Sequence, residues 1–424
     1  MTGCQSPGGD ASTPAFSETF PQPCGTEEAI GIDPEHNTGY VSIYTQDSRG
    51  NAQLAVVDLS ADAANPMIKT ISLPGARVAQ SVTYNPNNKT ILATGLASFQ
   101  VFAYEIDAVA HSLKNTVALP GLFALGTNGG IVEDPKANRA LAGTSGFLGV
   151  LDTSRSPPVW DPHSIIGLHY NTESIALNSR TGLALVTARG SSELVDTWHT
   201  PFAQFDFQIP PNEGIYESSA FDRTTNILVE SLENGADITY AYNFSSLDTE
   251  ASPGSARSVA AMGLGFVAPV GDGPGGLAAI NCVTHQALLV DKFGSNFKLV
   301  QLPRRPLRAT DYLNNNGQPG SGSKPDDHSV YTLAASVIPK SIANGATLQL
   351  EVLGMPPGIA IDQQRNLAYL LADARTDNRQ QPRNSIPLYL LRIDLSKPVL
   401  GAGPTGGVDG KTFWHPASRA IRLP

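Results

Sequence analysis

The 424-residue chain is 41 % hydrophobic, enough for a sizeable core, yet carries only 16 % charged residues, with 40 Gly and 32 Pro. That composition suits many turns and few long helices. A net charge of −10 excludes a nucleic-acid binder, which needs clustered Lys and Arg, and no apolar run reaches the ~18 residues of a membrane-spanning helix.

Residues 1–23 are rich in Ser, Thr, Pro and Gly and read as a flexible tether. Within it, Met1-Thr2-Gly3-Cys4 followed by Gln5-Ser6-Pro7-Gly8-Gly9-Asp10 resembles the end of a bacterial lipoprotein signal. A lipid anchor on Cys4 is one reading, an incidental cysteine in a disordered terminus the other. The chain is accordingly placed outside the cytoplasm, as a secreted, periplasmic or surface-anchored protein. Three cysteines allow no disulfide framework, but Cys24 and Cys282 leave a single bridge open.

From residue 24 the sequence repeats. Each unit has an apolar strand ending in Asp or Asn, a turn, and a second apolar strand. The strand-ending anchors are Asp33, Asn85, Asp134, Asn178, Asp222, Asn281 and Asp362. Asp and Asn suit this place because their side chains bond the backbone two residues on. Second strands follow, among them Val41-Ser42-Ile43, Ile91-Leu92-Ala93, Leu183 to Val186 and Ile227-Leu228-Val229. The anchors are spaced by 52, 49, 44, 44, 59 and 81 residues, which leaves room for two outer strands in each unit. The inner strands are apolar on both faces, as expected where each small sheet lies between two others. The repeat predicts an all-β, seven-bladed β-propeller with four-stranded blades over residues 24–424.

The long last spacing predicts an insertion after the sixth blade, about 304–354. It contains the Asn/Gly/Ser-rich stretch Asn314 to Ser323, the group Asp326-Asp327-His328, and two strand-like runs, Val330 to Ile338 and Ala346 to Leu353. Such a loop is functional or disordered. The last blade ends with Trp414-His415-Pro416 and Ala420 to Leu423, read as its outer strand. Ring closure then rests on packing of the first blade against the last, unless a strand near Phe16 to Phe20 contributes.

Five residues before each anchor stand Glu28, Gln80, Gly129, Glu173, Glu217, Gly276 and Pro357. In a propeller the starts of the inner strands meet around one mouth of the central channel. Three carboxylates and an amide would ring that mouth, with Asn128 beside Gly129. Either a cation sits between the carboxylates, or they are hydrated or bonded to backbone amides. Oxygen ligands without Cys or His favour Ca²⁺, with Mg²⁺ as the alternative.

Glu28, Asn128, Glu173 and Glu217, together with Asn128-Gly129-Gly130-Ile131-Val132-Glu133-Asp134-Pro135, resemble the calcium-site pattern of the gluconolactonase and senescence-marker-protein family. That family has six blades, and it has Asn and Asp where this chain has Glu173 and Glu217. More broadly the chain is similar to extracytoplasmic propellers with YVTN-type or NHL-type repeats. The resemblance implies a metal held by Glu28, Asn128, Glu173 and Glu217. His169, expected on the loop entering the fourth blade, would be a candidate general base beside them.

Two functions follow. One is a binding or scaffold protein of the cell envelope, taking a protein or small molecule at the channel mouth or the insertion. The other is a calcium-dependent lactonase or esterase, with Glu173, Glu217 or His169 moving the proton. Other chemistries lack their motifs: there is no Gly-x-Ser-x-Gly, no Cys-x-x-Cys-His and no phosphate-binding glycine loop. Trp160-Asp161 stands alone in a Pro-rich turn and does not repeat.

Overall fold

The computed structural model describes residues 29–60, 65–98, 100–120, 130–188, 191–197, 202–205, 216–232, 239–243, 263–267, 275–291, 297–302, 332–337, 347–349, 358–375, 388–396, 399–400, 413–414 and 417–424. Among them every regular element is a β-strand. The first unit forms a four-stranded sheet of β1 (Ile30–Asp33), β2 (Thr38–Gln46), β3 (Ala52–Asp58) and β4 (Met67–Leu73). The second does the same with β5 (Val78–Asn85), β6 (Thr90–Ala97), β7 (Gln100–Asp107) and β8 (Ser112–Leu119).

A six-stranded sheet follows: β9 (Ile131–Asp134), β10 (Arg139–Asp152), β11 (Val159–Asn178), β12 (Leu183–Ala188), β13 (Ser191–Asp196) and β14 (Ala203–Phe205). The fifth unit gives β15 (Tyr216–Asp222), β16 (Ile227–Leu232), β17 (Thr239–Asn243) and β18 (Gly263–Val267). The sixth gives β19 (Gly275–Asn281), β20 (Gln286–Asp291), β21 (Phe297–Gln301) and β22 (Thr332–Val337). The last sheet joins β23 (Thr347–Gln349), β24 (Ile359–Asp362), β25 (Leu367–Arg375), β26 (Leu388–Asp394) and β29 (Ala417–Arg422), while β27 (Val399–Leu400) pairs with β28 (Phe413–Trp414).

Five blades therefore stand as separate sheets, not the seven expected. The cause lies in the third and fourth units, where hydrogen bonding is continuous. β11 pairs with β10 through Val159 to Asn171 and with β12 through Thr172 to Asn178, so no break separates one unit from the next. β10 turns back on itself near Gly146, where φ is +79°. The N–H of Thr153, just past its end, donates to the carbonyl of Asn138, just before its start, at 3.0 Å.

The insertion expected at 304–354 is also changed where it is described. β22 is the fourth strand of the sixth unit's sheet, paired with β21, and β23 pairs with β25. Residues 303–331, including Asp326-Asp327-His328, lie outside the described residues, as do the tether and Phe16 to Phe20. β29 takes the outer place in the last sheet, pairing with β26.

The inner strands pack in sequence: β1 on β5, β5 on β9, β9 on β11, β11 on β15, β15 on β19, β19 on β24, and β24 back on β1. That last contact closes a ring. Its seam is a cluster containing Ile30, Val41 and Ala55 from the first unit and Leu371, Leu390 and Ile421 from the last. Similar apolar clusters join β1–β4 to β5–β8 and β19–β22 to the last sheet. Inner strands such as β1, β9 and β24 are buried at all four positions, whereas the outer β8 alternates with solvent. This is the pattern of sheets sandwiched at the centre and wet at the rim.

In six units the hairpin turn is built from its anchor, whose Oδ1 accepts turn amides, while Asp134 Oδ2 instead accepts the Arg139 Nε–H at 3.0 Å. The seven anchors are at most 2 % exposed. Asp33 Oδ1 accepts the N–H groups of Glu35 and His36, Asn85 Oδ1 those of Asn87 and Asn88, and Asn281 Oδ1 those of Val283 and Thr284. Four residues after every anchor the backbone enters the left-handed region: Asn37, Lys89, Asn138, Gly182, Asn226, His285 and Asn366, with φ between +49° and +71°. Asn and Gly tolerate that conformation best, which accounts for their holding five of the seven places.

The second polar atom of several anchors reaches the following unit. Asn178 Nδ2 donates to Asn226 Oδ1 at 2.7 Å, and Asn281 Nδ2 to Asn366 Oδ1 at 2.7 Å. Asp222 Oδ2 lies 2.7 Å from Nδ1 of His285, while its Oδ1 accepts the N–H groups of Thr224 and Thr225. Cys282, beside an anchor, is 5 % exposed and disulfide-bonded. The chain's other cysteines, Cys4 and Cys24, lie outside the described residues.

Asp222→Ala would remove the acceptor of the Thr224 and Thr225 amides and the carboxylate beside His285 Nδ1 together. Loss of about 2–4 kcal/mol is expected, read from the urea midpoint; a loss under about 0.5 kcal/mol would show that the anchor is not a support of the ring.

Candidate functional site

The positions predicted to ring the channel mouth share a backbone feature that the sequence did not announce. In the second unit the ladder slips between the pairs Ala79–Gly95 and Val82–Ala93, so Gln80 and Ser81 oppose one residue. In the fourth it slips between Thr172–Ala188 and Ser174–Thr187, leaving Glu173 as the extra residue. In the fifth it slips between Tyr216–Leu232 and Ser218–Ser231, at Glu217. In the sixth it slips between Gly275–Asp291 and Leu277–Val290, at Gly276. Four inner strands therefore bulge at one equivalent place, five residues before the anchor. A bulge ends regular pairing and re-aims a side chain, and bulges are frequent beside functional sites.

The remaining predicted ligands, Glu28 and Asn128, lie outside the described residues, as do Gly129 and Pro357. In those three units the ladder runs regularly up to Ala29, Gly130 and Gly358, whose carbonyls accept the N–H groups of Ser42, Gly143 and Leu371 at 2.9, 2.9 and 2.7 Å. Glu173 and Glu217 belong to β11 and β15, which pack on each other. The structure thus brings these two positions onto neighbouring strands. Among the described residues no group of three or more His, Cys, Asp and Glu is arranged to hold a metal ion.

His169 is not on a loop. It lies within β11, between the paired residues Gly167 and Asn171, because β11 runs unbroken from the outer edge of the third unit into the inner strand of the fourth. Trp160-Asp161 likewise starts β11 and pairs with Leu151 and Val150.

Hydroxyls near the bulges tie the units together. Ser42 Oγ donates to the carbonyl of Gln80 at 2.5 Å, Thr172 Oγ1 to that of Thr144 at 3.3 Å, and Ser218 Oγ accepts the N–H of Ala278 at 3.2 Å. Within the second unit, Thr94 Oγ1 takes the N–H of Ser81, displaced by the bulge, at 3.1 Å. Serine and threonine on otherwise apolar inner strands were the available signal for this layer.

Glu133, Asn85 and Thr153 form a separate buried knot in which Asn85 Nδ2 and Thr153 Oγ1 both donate to Glu133 Oε1. A cavity of about 440 Å³ opens on the third unit beside Arg139, Asp152, Arg155 and Trp160. Its cations are matched: Arg139 lies 3.0 Å from Asp134, and Arg155 lies 3.2 Å from Asp152. The cavity therefore has little net pull on a charged ligand.

No family model matches the sequence, and no curated protein matches it. Solved structures do. A chain of the Kuenenia stuttgartiensis hydrazine synthase aligns at 12 % identity with TM-score 0.50, over 84 % of this chain and 95 % of that one. A chain of the mitotic checkpoint complex aligns at 8 % identity with TM-score 0.54, over 87 % and 94 %. A putative 6-phosphogluconolactonase from Bacteroides fragilis NCTC 9343 aligns at 9 % identity with TM-score 0.46, over 63 % and 78 %, too loosely to bear on chemistry. Likeness at this level is a likeness of fold. With the ring of inner strands, it identifies the chain as an all-β β-propeller.

Thr94→Val keeps the shape of the second-unit bulge but removes the acceptor for the Ser81 amide. A loss of about 1–3 kcal/mol is expected from denaturant unfolding; an unchanged midpoint would mean that the hydroxyl does not hold the bulge.

Proposed function

We propose that the protein is an extracytoplasmic binding or scaffold protein, with a divalent cation at the mouth of the propeller channel. The observation that carries this reading is the repeated bulge, which places Glu173 and Glu217 at equivalent positions on the adjacent strands β11 and β15. Carboxylates brought together there would repel unless a cation or protons neutralised them. Oxygen donors without sulfur or imidazole favour Ca²⁺ over transition metals. Glu28 and Asn128 would complete the set. The disulfide of Cys282 supports an oxidising compartment, and a protein or small-molecule partner would bind at the channel mouth or at residues 304–354.

We also read the ring as seven blades, with the six-stranded sheet supplying two. Support comes from the anchor and left-handed residue recurring seven times and from the fold-back that closes β10 on itself. Fourteen extended residues would span roughly 45 Å, so the Thr153–Asn138 bond requires β10 to be a hairpin.

The cation reading is tested by thermal unfolding with excess chelator and then with Ca²⁺ or Mg²⁺. Cation at 100 times its dissociation constant should add about 2.7 kcal/mol, and Glu217→Gln or Glu173→Gln should abolish that response. Wild-type unfolding that ignores both chelator and cation would overturn the reading, and a calcium-dependent hydrolase would fall with it.

A further inference from the structure

The repeat allows each residue to be compared with its six counterparts in the same chain. Three residues before the anchor, and directly across the ladder from it, every unit has a buried pair. The pairs are Ile30–Val41, Val82–Ala93, Ile131–Ala142, Ile175–Val186, Ala278–Leu289 and Ile359–Leu370 in six units. In the fifth unit the pair is Ser219–Glu230. Both residues are 0 % exposed. A carboxyl has replaced an aliphatic side chain at the one place where the other units are uniformly apolar.

The surface opposite is polar as well. Ser174, Thr187 and Ser192 lie in one row across β11, β12 and β13 of the fourth unit, and cross-strand partners share a face. Ser192 Oγ donates to Glu230 Oε1, which fixes that row as the one facing the fifth unit. Glu230 Oε2 and Ser174 Oγ are buried with no hydrogen-bond partner among the described residues. Among the described residues, the other ionisable groups on the packed elements are Asp161, His163, His169, Tyr170 and Glu173 on β11, Glu193 and Asp196 on β13, Tyr216, Glu217 and Asp222 on β15, and Tyr240 and Tyr242 on β17. Glu193 pairs with Val186 across the ladder, on the other face of the sheet, and takes a bond from Gln204. Among the described residues, β12, β13, β15, β16 and β17 carry no Lys, Arg or His, so none of these strands offsets a charge on Glu230.

We propose that the seam between the fourth and fifth units is a pH-operated joint, closed when Glu230 is protonated and loosened when it ionises. Ionisation would bury an uncompensated charge between β13 and β16, and separation of these strands would hydrate it. The same two units carry the bulged strand starts at Glu173 and Glu217, so loosening frees the channel mouth where they stand.

Burial pushes the Glu230 carboxyl up from 4.5 to about 8, partly countered by the Ser192 hydrogen bond. A group raised in the folded state favours folding fully below its unfolded value and loses that contribution as pH rises to the folded one. Between about pH 4.5 and 8 the ratio of the folding constants of wild type and Glu230→Gln should fall about tenfold per pH unit, and then level off.

The test is denaturant unfolding of both proteins across pH 4 to 10, roughly bracketing that window. It is accompanied by hydrogen exchange resolved to single strands. Amides of β13 and β16 should lose protection above the window in the wild type and keep it in Glu230→Gln. Ser192→Ala removes the bond that lowers the carboxyl and should move the plateau to higher pH, a direction that general damage to packing would not produce. It also serves if Glu230→Gln does not fold. A wild-type to variant ratio independent of pH, or a plateau unmoved by Ser192→Ala, would overturn the proposal.

Discussion

The buried side chain of each anchor is the constraint on which the ring depends. An Asp or Asn at the end of an inner strand is removed from water, so its polar atoms must find partners inside the protein. At every anchor but Asp134 one oxygen takes one or two amides of its own turn, which leads to the left-handed residue four positions on. The other atom, at Asn178, Asp222 and Asn281, reaches the turn of the next unit. Turn geometry and unit-to-unit spacing are thereby set by the same residue. Aliphatic inner strands supply the bulk attraction between sheets, but that attraction has no direction of its own. The anchors supply the register.

With one end of every inner strand fixed, variation collects at the other. Regular pairing continues up to Ala29, Gly130 and Gly358 in three units, and is broken by a bulge in four. Glu173 and Glu217 stand at two of those breaks, in adjacent units. Between those units lies the seam where Ser219 and Glu230 replace an aliphatic pair. Conserving apolar pairs everywhere else makes this exchange costly unless it serves a purpose, since an unsatisfied buried carboxyl costs more than the hydrogen bond from Ser192 returns. The two bulged glutamate positions and the one exchanged pair thus fall in adjacent units of the ring.

Much of this was legible because the repeat is written in residues with strong local preferences. Anchors and second strands could be read from spacing, and with them the all-β propeller. What escaped is what periodicity does not encode. Whether one strand stops before the next begins depends on continuous hydrogen bonding, so His169 and Trp160 were assigned to loops although β11 carries both. A bulge adds one residue without altering an apolar pattern, so the slips at Gln80, Glu173, Glu217 and Gly276 were invisible. β22, the outer strand of the sixth unit, was read as part of an insertion because a long polar stretch separates it from β21. Glu230 looked like an ordinary charged residue until its six apolar counterparts were aligned through the ladder.

The central claim is that binding is organised at the bulged starts of β11 and β15. Hydrogen exchange of the whole chain at neutral pH, with chelator and with saturating Ca²⁺, tests it most directly. The account predicts that calcium slows exchange first and most strongly around residues 172–174 and 216–218, with little change at the anchor turns. Protection confined to other segments, or none at all with calcium present, would contradict it.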